Sequence, residues 1–241
     1  LPGDTYANRM PDPVLQQVEH FNNPSATAND AFKPVTRYFD RITRPEQIIQ
    51  SFPIAVQTML DPADCGPACI ALSQDIQGQT FDYPEEFFKE RIHTIRRPRP
   101  DEFQIKEAAE KIKSSKNPII ISGGGVFYSD AMEELSQFAI KHNIPVTQTV
   151  MGYSTMKRDH SHFAGQIGGL GGKNTNTLAK QTDLAIAVGT KLADFTTGSW
   201  ANFENENFKL VSINVSRYDA NKHLAQAVVG DAKVSLTELS Q

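Results

Sequence analysis

The chain has 241 residues, 39% hydrophobic and 22% charged, with 24 Lys plus Arg against 28 Asp plus Glu for a formal net charge of -4. That composition supports a packed core and excludes wholesale disorder. A mildly acidic balance also speaks against charge-driven nucleic-acid binding, which needs a dense basic surface.

No apolar run approaches the roughly 18–20 residues that span a bilayer, so neither a membrane nor nucleic acid is expected as a partner. Cys65 and Cys69 are the only cysteines and cannot form a disulfide framework or a four-ligand zinc site. A reducing, cytoplasmic setting is expected. The opening Leu1-Pro2-Gly3-Asp4 has no initiating Met and no basic-then-apolar leader, so the chain is expected to be processed or a piece of a longer one.

In chain order, residues 12–21 and 45–60 read as helices, the second with Ile48, Ile49, Phe52, Val56 and Met59 facing inward and a kink at Pro53. Arg37, Arg41 and Arg44 recur at helix-like spacing beside Tyr38 and Phe39, a pattern that fits a solvated face, an acidic ligand or a neighbouring subunit. Residues 68–72 form the one persuasive strand of this half, and a lone strand leaves its backbone unpaired. The first half therefore reads as the tail of a domain whose early strands are missing. Arg96-Arg97-Pro98-Arg99-Pro100 cannot be regular helix and is read as a linker, the alternative being a basic surface loop inside one domain.

The second half alternates. Residues 103–115 carry Ile105, Ala108, Ala109 and Ile112 at helical spacing, and 118–122 is a β-branched run that reads as a buried strand. Gly123-Gly124-Gly125 follows, then a helix from about Asp130 with Met132, Leu135 and Ala139 on one face. Strands are expected at 144–149, 184–188, 210–215 and 227–229, with a glycine-rich loop at 165–172 leading into a helix over 174–181. Strands alternating with helices imply right-handed crossovers and a parallel α/β sheet covered on both faces.

Gly123-Gly124-Gly125 sits where a strand hands over to a helix, so it is either a diphosphate cradle or a tight turn. The dinucleotide pattern fails at Tyr128, and the phosphate-loop pattern fails because Asn174 follows Gly172-Lys173 and Ile167 stands at its first glycine. Five glycines in the eight residues 165–172 suggest a loop that hugs a cofactor or the neighbouring chain. Asp159-His160-Ser161-His162 is read as ordinary surface histidines rather than a metal site, and Cys65 and Cys69 as small buried residues. No G-x-S-x-G elbow and no complete catalytic set is present.

The order of these landmarks resembles the thiamine-diphosphate enzymes of the acetolactate synthase type. Gly66-Pro67 through Asp75-Ile76-Gln77 looks like the family's G-P-V-x-x-x-x-P-x-D-V-Q strand, with Ser73 in place of the proline. The strand-and-glycine sequence from Pro118 to Gly230-Asp231 looks like its central domain. The resemblance implies residues 1–83 as the end of a pyrimidine-binding domain, 84–101 as a linker, and 102–241 as a central Rossmann-like domain with a parallel six-stranded sheet. Pro11-Asp12-Pro13-Val14-Leu15 and the stretch from Asn29-Asp30-Ala31-Phe32-Lys33 to Pro45-Glu46-Gln47 resemble one branch, the trihydroxycyclohexane-1,2-dione hydrolases of inositol catabolism. That branch opens the ring of a cyclic 1,2-dione to a deoxy-glucuronate, with the cofactor as electron sink.

The resemblance further implies thiamine diphosphate and Mg2+ in the full-length, homo-oligomeric enzyme. None is expected on this piece, because the activating glutamate and the metal-binding motif match stretches outside it; the chain alone is expected to be inactive. Phe32 and Lys33 match the active-site entrance, Lys33 standing where relatives have glutamine. Gly123, Gly124, Gly125, Gly168 and Lys191 match positions where some relatives hold FAD or ADP, and an empty, vestigial site is expected here. The alternatives are another lyase or synthase of the acetolactate synthase type, or a stand-alone nucleotide-binding regulatory module.

Overall fold

A computed structural model describes residues 1–8, 20 and 22–241; all of the helix expected at 12–21 except residue 20 lies outside the described residues. The chain divides into two compact units, Leu1–Ile95 and Arg96–Gln241.

The first unit holds a three-stranded parallel sheet in the order β1-β3-β2, from β1 (Gly3–Asp4), β2 (Tyr38–Ile42) and β3 (Ala68–Ser73). Two of these strands correct the expectation of a single one. β1 is too short to show a pattern and exists because it pairs with β3, Leu72 N–H donating to the Pro2 carbonyl at 2.9 Å. β2 takes the stretch read as a polar helical face. Its alternation instead sends Tyr38 and Ile42 inward, into a core with Ala55 and Ile70, and Arg41 to the other side.

Helix α1 (Ile48–Leu60) packs on that sheet, with a short α2 (Gln74–Gln77) after β3. The inward face of α1 also differs from expectation. Ser51 and Ala55 are buried beside Ile48, while Phe52 and Met59 are 45% and 48% exposed. Tyr38 is the reason: its ring fills the space under α1 and its hydroxyl lies 3.0 Å from Ser51 Oγ, so only small side chains fit there. Pro53 stands inside the helix, which continues to Leu60. Cys69 is buried as expected, and burial pushes its thiol pKa up; Cys65 is exposed, its Sγ donating to the Met59 carbonyl at 3.2 Å.

The second unit is a parallel sheet of six strands, β4 (Pro118–Ser122), β5 (Val146–Gln148), β6 (Phe163–Gln166), β7 (Leu184–Val188), β8 (Lys209–Asn214) and β9 (Gln226–Val229), in the order β6-β5-β4-β7-β8-β9. Both faces are covered. Ile120, Leu184, Ile186, Val188, Val211 and Ile213 point to one side, against α3 (Glu102–Ser114), α5 (Met132–His142) and α9 (Ala232–Leu239). Ile119, Ile121, Ala185 and Ala187 point to the other, against α6 (Lys173–Gln181) and the packed Trp200, Phe203 and Phe208. Each buried branched side chain contributes about 1.5–3 kcal/mol, so the continuous apolar runs are explained by a strand with two dry faces.

The short helices are α4 (Gly124–Tyr128), α7 (Asp194–Thr197) and α8 (Arg217–Ala220). Helix α4 starts inside the glycine run and was not foreseen. The following α5 buries Leu135, Phe138 and Ala139, but Met132, expected inside, sits at its exposed start. The loop expected at 165–172 begins inside β6, whose Gln166 pairs with Gln148. Asp183 fixes the approach to β4, accepting from the Ser115 hydroxyl and from the backbone N–H groups of Lys116 and Asn117 at 2.8 and 3.0 Å. Among the described residues, no helix is long and apolar enough to cross a membrane.

Candidate functional site

In the second unit, two halves of the sheet start from β4 and β7, which lie side by side, and the order is that of a doubly wound fold. Such sheets take ligands outside the carboxyl ends of their strands, where the order reverses. Here that place lies between the loops that leave Ser122 and Val188.

Those loops close on each other. Gly123 N–H donates to the Val188 carbonyl and Gly125 N–H to the Gly189 carbonyl, each at 2.9 Å. A Cβ on Gly123 would stand 2.4 Å from the Gly189 oxygen, and one on Gly125 2.6 Å from Gly189 Cα. Gly189 itself has φ +60, in the left-handed region. The absent side chains are therefore explained by backbone meeting backbone. Gly124 is different: the nearest atoms to a Cβ there belong to Met151 and Tyr128, at 3.2 Å or more.

Gly168 behaves like Gly123 and Gly125. Its φ is +98, and a Cβ would stand 2.0 Å from the Phe195 carbonyl oxygen. Asn176 holds it from the other side, its side-chain amide exchanging two 3.0 Å hydrogen bonds with the Gly168 backbone, while Gly169 N–H donates to the Phe195 carbonyl at 2.8 Å. Thus the turns after β4 and β6 are each latched to the segment that follows β7.

Lys191 lies farther along that segment and borders a cleft of about 410 Å3 with Leu192, Asp194, Trp200, Lys222 and His223. The rings of Trp200 and His223 meet at 4.6 Å. Leu192, Trp200 and His223 adopt φ values of 49, 67 and 61 without being glycine. Backbone of this kind collects at functional sites because surrounding structure must hold it. Lys222 is paired with Asp219 and lies over the Tyr218 ring. None of Gly123, Gly124, Gly125 or Gly168 lines this cleft. Trp200, Lys222 and His223 were missed from sequence; they follow the short helices α7 and α8, and no motif marks them.

In the first unit, Phe32 and Lys33 sit on a 3-10 segment, Ala28–Val35. Thr27 caps it, its hydroxyl accepting from Asn29 N–H at 3.2 Å, while Asp30 reaches back to Thr27 N–H at 2.9 Å. Phe32 is 45% exposed. Lys33 Nζ stands 3.0 Å from Asp30 Oδ1 and over the Phe39 ring. Arg41, on β2, donates through Nε to the fully buried Asp4 at 2.6 Å and through Nη2 to Thr27 Oγ1 and Asp30 Oδ1, both at 2.8 Å. Burial alone would raise the Asp30 pKa; the Thr27 N–H and the Arg41 and Lys33 cations outweigh it and lower it to about 2. Arg37 and Arg44 do not join Arg41: they face Asp64 and Glu46 separately.

His160 and His162 hydrogen-bond to Ser136 and Asn143, and no group of three or more His, Cys, Asp or Glu that could hold a metal occurs among the described residues.

The profile of the family described as "Thiamine pyrophosphate enzyme, central domain" matches residues 105–239. The chain is 48% identical over 239 residues to the 3D-(3,5/4)-trihydroxycyclohexane-1,2-dione hydrolase of Clostridium perfringens (strain 13), covering 99% of this chain and 37% of that protein. It is also 48% identical over 242 residues to the protein of the same name from Bacillus subtilis (strain 168), covering 99% and 38%. It therefore spans little more than a third of the length of these curated relatives. Among solved structures, the benzoylformate decarboxylase of Polynucleobacter necessarius matches with a TM-score of 0.71 over 98% of this chain and 45% of that one; at 22% identity this is a likeness of fold alone.

Proposed function

The chain belongs to the thiamine pyrophosphate enzymes, whose central domain it contains, and on that premise we propose that it is part of a hydrolase that opens the ring of trihydroxycyclohexane-1,2-dione to a deoxy-glucuronate in inositol catabolism. The observation that carries the reading is identity of 48% sustained over 99% of the chain with hydrolases of that name. In this reading residues 1–83 end a pyrimidine-binding domain, 84–101 connect, and 102–241 form the central domain. Phe32 and Lys33 stand at the active-site entrance, where an ammonium can meet the hydroxyl groups of the substrate.

The described residues do not fit thiamine diphosphate and its magnesium. They offer no cluster of metal-ligating side chains, and the N–H groups of Gly123, Gly125 and Gly169 already donate to neighbouring carbonyls instead of facing outward as a phosphate cradle. Both groups are assigned to the remainder of the intact protein. The same closure supports a glycine site that is empty of FAD or ADP, and disfavours a nucleotide-binding module. A cytoplasmic, homo-oligomeric enzyme is part of the proposal; two free cysteines support a reducing compartment.

The test is the intact protein assayed with the cyclic dione and with pyruvate, thiamine diphosphate and Mg2+ present. Ring opening with no carboligation of pyruvate is expected; the reverse would place the protein with the acetolactate synthases.

A further inference from the structure

Asp30 is the shared acceptor of two cations. Its Oδ1 takes a hydrogen bond from Arg41 at 2.8 Å and faces Lys33 Nζ at 3.0 Å, while its Oδ2 accepts from Thr27 N–H. Arg41 extends the connection to the end of β1 through the fully buried Asp4, and to the cap of the 3-10 segment through Thr27 Oγ1. A second tie runs parallel to it: the buried Asn29 donates from Nδ2 to the Gly3 carbonyl at 2.6 Å. The segment bearing Phe32 and Lys33 is thus pinned at its first turn, by one planar guanidinium, to the ends of two strands. A lysine could not replace it, since an ammonium lacks the rigid fork that reaches Asp4, Thr27 and Asp30 together.

The charges sort by depth. Arg41 and Lys33 face Asp4 and Asp30, two against two, and the side chains of Arg41 and Lys33 are 22% and 53% exposed. The inner cation answers the inner carboxylate and half of the outer one. Lys33, at the rim, shares what remains.

We propose that Arg41 is a positioning residue for the active-site entrance: it fixes Asp30, and through Asp30 it sets where Phe32 and Lys33 stand and keeps the Lys33 ammonium only partly neutralised. This rests on the entrance reading of Phe32 and Lys33. Without Arg41, Asp30 closes on Lys33 and the cap at Thr27 loses its outer support.

The experiment is Arg41→Gln and Arg41→Lys in the intact protein, read by steady-state kinetics with the cyclic dione and by amide hydrogen exchange over residues 28–35. For Arg41→Gln, KM rises about tenfold, as expected for one lost charge-assisted contact, kcat stays within about twofold, and exchange over 28–35 accelerates. Arg41→Lys recovers less than half of the KM change on a logarithmic scale. If Arg41→Gln does not accumulate folded, the near-isosteric Asp30→Asn gives the same pattern with a smaller rise in KM. Unchanged exchange over 28–35 overturns the positioning role. Faster exchange with unchanged KM upholds the positioning and overturns the entrance reading, so the two fail separately. Equal falls in kcat and kcat/KM, with faster exchange throughout the first unit, overturn the proposal in favour of general destabilisation.

Discussion

Gly125 and Gly189 meet backbone to backbone: the Gly125 N–H donates to the Gly189 carbonyl at 2.9 Å, and a Cβ on either would stand 2.6 Å from the Cα of the other. Gly189→Ala adds left-handed strain to that clash, and both act on the seam between β4 and β7. The variant is expected to lose about 2 kcal/mol or more of stability, measured by urea unfolding of this chain. By the same geometry, calorimetric titration of the chain with FAD, ADP or NAD should give no stoichiometric binding.

Asp30 makes the first unit acid-sensitive in a defined window. Its pKa is lowered from 3.8 to about 2. A carboxylate depressed in the folded state contributes stability that is complete above its ordinary value and lost as pH falls through the folded one. Amide protection of β2 and β3 should therefore weaken between about pH 4 and pH 2. Asp30→Asn should lower protection at neutral pH and flatten that acid limb.

Asp183 accepts three hydrogen bonds from residues 115–117, at the entry to the central strand β4. Burial raises its pKa, but these donors prevail and lower it. Asp183→Ala leaves two backbone N–H groups and a hydroxyl without their acceptor and is expected to cost about 2 kcal/mol. The single Trp200, packed against Phe203 in the second unit, reports that unit's unfolding by fluorescence.

Phe138 and Phe127 separate core from surface. Phe138 is fully buried among the residues that α5 sets against the sheet, whereas Phe127 is 57% exposed. Phe138→Ala should cost about 3–5 kcal/mol and Phe127→Ala less than about 1 kcal/mol, compared in the same denaturant titration.

The second unit was largely legible because its strands are buried on both faces. Pro118–Ser122 and Leu184–Val188 appear in the sequence as unbroken apolar runs, and the structure gives them those bounds. The first unit hid its strands for the opposite reason. Gly3–Asp4 is a strand only through its partner, and Tyr38–Ile42 carries Asp40 and Arg41, of which Arg41 is paired with the distant Asp4 by a tertiary contact that no local pattern announces. The inward face of α1 was misjudged because hydrophobicity favoured Phe52 and Met59, while the space beneath the helix, filled by Tyr38, admits Ser51 and Ala55. Gly123 and Gly125, open in the sequence to a cradle or a tight turn, meet Gly189 backbone to backbone, an approach that depends on which turns lie side by side across the sheet. The left-handed Trp200 and His223 beside Lys191 could not be foreseen, since aromatic residues rarely adopt that conformation.

In the proposed division of labour, this chain supplies scaffold and entrance, and the reacting groups belong to the rest of the protein. The test is dione ring opening, measured for the purified chain and for the intact protein in one assay with thiamine diphosphate and Mg2+. Turnover is expected from the intact protein and none from the chain; turnover by the chain alone would overturn that division.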